Sequence, residues 1–273
     1  MMEYGLLVLV GFLAGTIGSL IGLGGGVIIV PSLLFLGNSH LIPAVSPQMA
    51  VGTSLVVIIF NGLSSTLSYM KDKMVDYRSG LLFFIGSGPG AILGAWVNES
   101  LSFSHFSLYF GLFLISMSFL LIFTNNRSRQ TKQKHFPISC TYVTNEGETI
   151  TYGYHPIGAV AISFIVGFFG GLFGIGGGSL MVPAMILLFL FPPHVAVATS
   201  MFIIFLSSLV SSVTHVAIGN VEWLFALALI PGVWFGAKVG ALTNKKLKSK
   251  TVVFVLRFVL IFLGIRLIIQ GIS

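Results

Sequence analysis

Charge is what this sequence is short of. Only 8% of its 273 residues are charged, while 55% are hydrophobic and the mean hydropathy is +1.01. A soluble domain carries roughly 25% charged residues. No water-soluble fold hides this much apolar surface, so the composition predicts a polytopic, multi-pass protein of the cell membrane. Acidic residues are the scarcest: 7 Asp and Glu stand against 14 Lys and Arg, a formal net charge of +7. None of the seven lies in the middle of an apolar run. The intramembrane carboxylate usual in proton- or sodium-coupled carriers is therefore missing. Cysteine is nearly absent too. The single Cys140 excludes an internal disulfide and a multi-cysteine metal site. The sequence shows no nucleophile–base pair, metal-ligand cluster or nucleotide motif, so no enzyme activity, metal or cofactor is expected. The basic excess sits in short loops between apolar runs, which points to membrane topology and not to nucleic acid. Before the first apolar run there is only Glu3, and the run passes Gly22 without an A-x-A-like cleavage site. It reads as a membrane segment, not a signal peptide.

The apolar runs cover residues 5–36, 48–70, 79–97, 105–124, 157–191, 197–218, 223–241 and 251–270. Most are near the roughly twenty residues that cross a bilayer. Runs 5–36 and 157–191 are much longer, and each holds a glycine cluster. Each is expected to form one crossing, a break, and a short second helix beginning at Val27 or Ser179. The one long polar stretch, 125–155, carries Arg127, Arg129, Lys132 and Lys134. Its alternating residues around Asn145-Glu146-Gly147 predict a small β-hairpin.

The chain repeats itself. Gly15, Gly18, Gly22, Gly24, Gly25, Gly26, Val30 and Pro31 match Gly167, Gly170, Gly174, Gly176, Gly177, Gly178, Val182 and Pro183 at constant offset. After a six-residue gap, Thr53-Ser54 pairs with Thr199-Ser200, Val75-Asp76-Tyr77 with Val221-Glu222-Trp223, and Gly86, Gly90 and Gly94 with Gly232, Gly236 and Gly240. The expected fold is all-α: two homologous repeats, residues 1–124 and 156–273, joined by a cytoplasmic linker, 125–155. Each repeat has a Gly-broken helical hairpin plus three transmembrane helices.

Charge placement orients the repeats. The basic segments are 71–78, 125–135 and 244–250, whereas 37–47, 98–104 and 219–222 contain no Lys or Arg. If each long run crossed once, 71–78 and 244–250 would fall on opposite sides, against the positive-inside rule. If each long run enters and returns, all three basic segments are cytoplasmic, both termini are outside, and the repeats are inverted. This second arrangement is the one expected.

The glycine breaks are the strongest candidates for a site. Unpaired backbone groups in lipid each cost several kcal/mol, so irregular backbone at membrane depth is kept only where it is buried or lines a cavity. Paired broken helices are a pointer to a transporter's binding site. Neither break is followed by Gly-Lys-Ser/Thr, which excludes a phosphate loop. Gly11, Gly15, Gly18 and Gly22 are spaced for close helix packing. The consecutive Gly24, Gly25 and Gly26, and Gly176, Gly177 and Gly178, cover every side of a helix and read as unwound backbone. The helix starting after each break would present free N–H groups and a positive dipole end, a site for an anion. Ser179 adds a hydroxyl where the first break has Val27. Thr53, Ser54, Thr199, Ser200 and Asn61 add donors in otherwise apolar helices. Their competing role is hydrogen bonding within or between helices.

Other polar residues are weaker candidates. Gln48 is an amide that a lipid-facing helix would avoid. Arg257 lies deep in the last run and could attract an anion. His215, equivalent to Tyr69, is the candidate for a proton-coupling role. Lys238 and Arg266 are near helix ends and can snorkel. Asp76 and Glu222 are placed to cap helices.

The duplicated pattern, S-L-I-G-L-G-G-G-V-I-I-V-P and G-L-F-G-I-G-G-G-S-L-M-V-P, followed by Thr-Ser and V-[DE]-[YW], resembles the sulfite exporter TauE/SafE family. The resemblance covers nearly the whole chain apart from 125–155. It implies transport, often export, of sulfur-containing anions such as sulfite, sulfoacetate or other organosulfonates, without fixing which. The expected partners are a small anionic substrate and the lipid bilayer, with a homodimer admitted. An anion channel, or a membrane scaffold with no substrate, stays open as the alternative.

Overall fold

A computed structural model describes residues 2–100, 103–123, 137–143, 149–178 and 180–272. Among these residues, ten helices and one hairpin follow in order: α1 Met2–Ile21, α2 Gly26–Asn38, α3 Pro47–Met70, α4 Tyr77–Asn98, α5 Phe103–Phe123, β1 Ile138–Val143, β2 Thr149–Tyr154, α6 Pro156–Phe173, α7 Met181–Leu188, α8 Pro193–Ile218, α9 Trp223–Lys246 and α10 Ser249–Ile272. Among the described residues, seven helices are long and apolar enough to cross a membrane. The protein is mostly helical, as a membrane interior demands of its backbone.

The helix boundaries follow local chemistry. Ser46 caps α3 by accepting from the Met49 amide, and Pro47 opens the helix with its φ already set. Asp76 caps α4 by accepting from the Ser79 amide. Glu222 holds the equivalent place before α9 but makes no side-chain cap. Gly219 ends α8 with φ +88, a conformation that costs other residues more.

Each long helix packs mainly on a helix from the other half of the chain, while α2 and α7 pack on α3 and α8 of their own halves. α1 lies on α9, α4 on α6, α5 on α10 and α3 on α8. Glycines make the first two contacts close. A methyl at Gly15 would fall 2.6 Å from the Val233 carbonyl oxygen, and one at Gly90 would fall 2.2 Å from that of Phe164. This is the small-residue packing that membrane helices use where no hydrophobic force separates helix from lipid. α3 is largely buried at the centre. Outward faces carry large apolar side chains such as Ile85, Trp96, Val213, Phe235 and Phe258, all exposed as a lipid-facing surface requires.

Two expectations are corrected. The chain is not all-α, because the stretch 125–155 contributes the antiparallel pair β1–β2, with Cys140 opposite Tyr152. The hairpin itself is as expected; Asn145, Glu146 and Gly147, like the basic residues from Arg127 to Lys134, lie outside the described residues. The second helices also begin elsewhere: α2 starts at Gly26, one residue early, and α7 at Met181, two residues late. Gly25 takes φ +81 and leads directly into α2, while Gly177 keeps an ordinary φ and the chain turns through Leu180 before α7. Ser179 is outside the described residues.

The hairpin docks on the bundle. Tyr152 Oη donates to Asp76 Oδ2 (3.1 Å), Tyr154 Oη to Ser79 Oγ (2.8 Å), and the Gly153 amide to the Phe189 carbonyl (3.1 Å). Tyr154, Phe83 and Phe189 pack ring against ring beneath it.

Lys245 forms an ion pair with Asp72 and donates to the Ser68 carbonyl, so the segments around 71–73 and 245 share one end of the molecule. At other contacts, Gln48 donates to the Asn98 carbonyl (3.4 Å) and Asn220 to Glu99 Oε2 (2.6 Å), which gathers the segments poor in basic residues.

Candidate functional site

The two breaks meet. A methyl at Gly26 would fall 2.3 Å from the Gly174 carbonyl oxygen, so the backbones touch where only glycine fits. Ile58 and Ile204 wedge between them. Methyls at Gly24 and Gly176 would lie 3.0 and 3.2 Å from the same Ile204 Cγ2. Gly22, Gly24, Gly174 and Gly176 all have φ between +70 and +79, so the helical ladder is broken at both places. It resumes when the Ile29 amide donates to the Gly25 carbonyl and the Met181 amide to that of Gly178. The first N–H groups of a helix have no partner within it.

The Thr-Ser pairs lie against the breaks, and their hydroxyls are committed. Ser54 Oγ donates to the Gly174 carbonyl at 2.9 Å. Ser200 Oγ donates to the Gly22 carbonyl at 2.6 Å and is 3.2 Å from that of Gly178. Asn61 Nδ2 donates to the Gly24 carbonyl at 2.7 Å. These side chains satisfy carbonyls that unwinding released, a need that buried backbone always imposes. Thr53 and Thr199 face elsewhere: each Oγ1 accepts a backbone amide, from Glu222 and Asp76 respectively. All five side chains are fully buried.

The remaining candidates divide. Gln48 donates to the Asn98 carbonyl. Arg257 sits on α10, which packs on α5, and its carbonyl accepts from Ser118. His215 is fully buried near the C-terminal end of α8, its Cβ 3.1 Å from where a methyl on Gly52 would stand. Lys238 lies over the Trp234 ring at 5.5 Å, and Arg266 over Phe35 at 4.6 Å, both as cation–π contacts. The named neighbours of the breaks carry no charge. Two surface grooves, one along Ile157, Val160 and Phe164 and one along Tyr109, Leu112 and Phe169, are apolar and belong to the outward faces.

Sequence reading missed Asn98 and Asn244. Asn98 Nδ2 donates to the Leu172 carbonyl (2.8 Å) and Asn244 Nδ2 to that of Leu20 (2.6 Å), closing the ends of the broken helices α6 and α1. Both fall at the offset that pairs the Thr-Ser dipeptides, so that sequence match held the signal.

Together these features define a multi-pass membrane protein whose polar interior is assembled on two broken helices. The chain belongs to the sulfite exporter TauE/SafE family, whose model matches residues 7–267. It is 57% identical over 272 residues to the probable membrane transporter protein YunE of Bacillus subtilis, covering 99% of each chain. A probable membrane transporter protein of Methanocaldococcus jannaschii is 28% identical over 274 residues, 95% of this chain and 93% of that one. Another from Bacillus subtilis, YjnA, is 26% identical over 271 residues, 96% of this chain and 98% of that one. No solved structure matches. The family is one of membrane transporters, and no enzymatic activity is indicated for it.

Proposed function

We propose that the chain exports a small sulfur-containing oxyanion, sulfite or an organosulfonate, by alternating access, with the anion held between the two broken helices. The observation that carries this reading is the meeting of the breaks at Gly26 and Gly174 with Ile58 and Ile204 against them. Two helix starts supply N–H donors and positive dipole ends without a cationic side chain. Ser54, Ser200 and Asn61 are already at the breaks. When the breaks part, their donors exchange carbonyl partners for the anion.

The architecture in this reading is two inverted repeats, 1–124 and 156–273, with the linker 125–155 in the cytoplasm. The Lys245–Asp72 ion pair supports it, since it unites basic segments that single crossings of the long runs would separate. Without an intramembrane carboxylate, the inside-negative potential drives efflux. It contributes about 2.3 kcal/mol per charge per 100 mV, so roughly twice that for a dianion.

A thermal-shift screen of the purified protein against sulfite, sulfate, thiosulfate, sulfoacetate and taurine tests the reading, because a ligand of the folded state raises stability by mass action. A shift with sulfite or sulfoacetate is expected. No shift with any of the five contradicts it.

A further inference from the structure

The two halves of the chain differ in how a row of buried polar groups is paired, although Thr66 and its match Ser212 are both unpaired. Ser208, Ser211, Ser212 and His215 recur at helical spacing on one face of α8, so they line up along the helix. Ser208, Ser211 and His215 are fully buried, and Ser212 is 4% exposed. None of the three hydroxyls has a hydrogen-bond partner, whereas the His215 ring bonds the Gly171 backbone. Buried polar atoms are nearly always paired, so three unpaired side chains on one face need a reason.

The matching positions of the first half show what is missing. There Ser65 Oγ donates to Ser19 Oγ at 2.8 Å, and Tyr69 Oη donates to the Ser19 carbonyl at 2.8 Å. The register that pairs Gly18 with Gly170 puts Gly171 where Ser19 would be. Gly171 cannot carry that hydroxyl, since a Cβ there would fall 2.1 Å from the Ala91 carbonyl oxygen. Close packing of α6 on α4 thus removes the hydroxyl that Ser211 would meet, while the backbone contact that Tyr69 makes is kept by His215. The row also reaches the second break: Ser208 Oγ is 3.0 Å from where a methyl on Gly176 would stand.

We propose that this face of α8, from Ser208 to Ser212, is the oxyanion's second station, on the route between the Gly176 break and the end of the bundle at Asn220. This rests on the export reading above. Three unpaired hydroxyls offer protons, and the row has no carboxylate, which suits an anion with several acceptor oxygens. The two halves are then unequal: Ser65 is closed by Ser19, and Ser211 is left for the ligand.

The test compares Ser208→Ala, Ser211→Ala and Ser212→Ala with Ser163→Ala, a buried serine of α6 whose hydroxyl bonds its own helix at Ala159. Sulfite and sulfoacetate are titrated by thermal shift on each purified protein. Removing an unpaired buried hydroxyl costs little in folding, so Ser211→Ala and Ser212→Ala keep or raise the melting temperature without ligand. The expected result is an apparent affinity at least about tenfold weaker in the three α8 variants and unchanged in Ser163→Ala. Wild-type affinity in all three α8 variants overturns this inference and leaves the export reading standing. No response of the wild-type protein to either anion overturns both.

Discussion

Thr199 Oγ1 accepts a 3.0 Å hydrogen bond from the Asp76 amide, and at the matching positions Thr53 Oγ1 accepts a 2.9 Å bond from the Glu222 amide. Each threonine thereby holds the first residue before a helix of the other half. Thr53→Val or Thr199→Val leaves a buried N–H unsatisfied at similar volume. Each is expected to cost about 1–3 kcal/mol of stability, measured by thermal unfolding in detergent, and by similar amounts.

The glycines of the two breaks should not tolerate alanine equally. Gly25 has φ +81, and a methyl there would meet the Ala14 carbonyl oxygen at 2.9 Å. Gly177 has ordinary φ, and its methyl would meet the Ser207 Cβ at 2.9 Å. A left-handed conformation costs a non-glycine residue about 1–2 kcal/mol. Gly25→Ala is therefore expected to lower the melting temperature more than Gly177→Ala; the reverse order would contradict the backbone described.

The hairpin predicts a pH effect. Burial pushes the Cys140 thiol above its ordinary value, and the nearby Asp76 carboxylate pushes it further. An acid held in its neutral form ionises later as pH rises, so the thiolate fraction near pH 8 is reduced. Since the thiolate is the nucleophile, alkylation of Cys140 by iodoacetamide should be slower than that of a free cysteine. It should climb at higher pH and quicken in Asp76→Asn.

The same carboxylate holds the hairpin through Tyr152. Tyr152→Phe removes a hydrogen bond to a charged acceptor. About 1–2 kcal/mol of stability should be lost, with faster protease cleavage within 125–155. Unchanged cleavage would show that the Tyr154 and Gly153 bonds suffice.

Much of this was legible in the sequence, because the repeat and the glycine clusters are local signals. Spans, breaks and hairpin follow from hydropathy, consecutive glycines and strand alternation. The roles of the polar residues were not legible. Ser54 and Ser200 carry the chemistry of anion donors, yet they bond the carbonyls of Gly174 and Gly22, which lie far off in sequence. Only the fold says which acceptor a buried hydroxyl finds. The starts of α2 and α7 were also out of reach, since Gly25 and Gly177 are identical in type and differ only in φ.

The central claim is that the chain carries a sulfur oxyanion across the bilayer through the centre where the breaks meet. Flux of radiolabelled sulfite in proteoliposomes, at set membrane potential and no pH gradient, tests it most directly. The account predicts saturable flux that follows the potential, is accelerated by unlabelled sulfite on the opposite side, and is lost in Gly26→Val. Flux no greater than that of empty liposomes, or flux that appears only with a pH gradient, would contradict it.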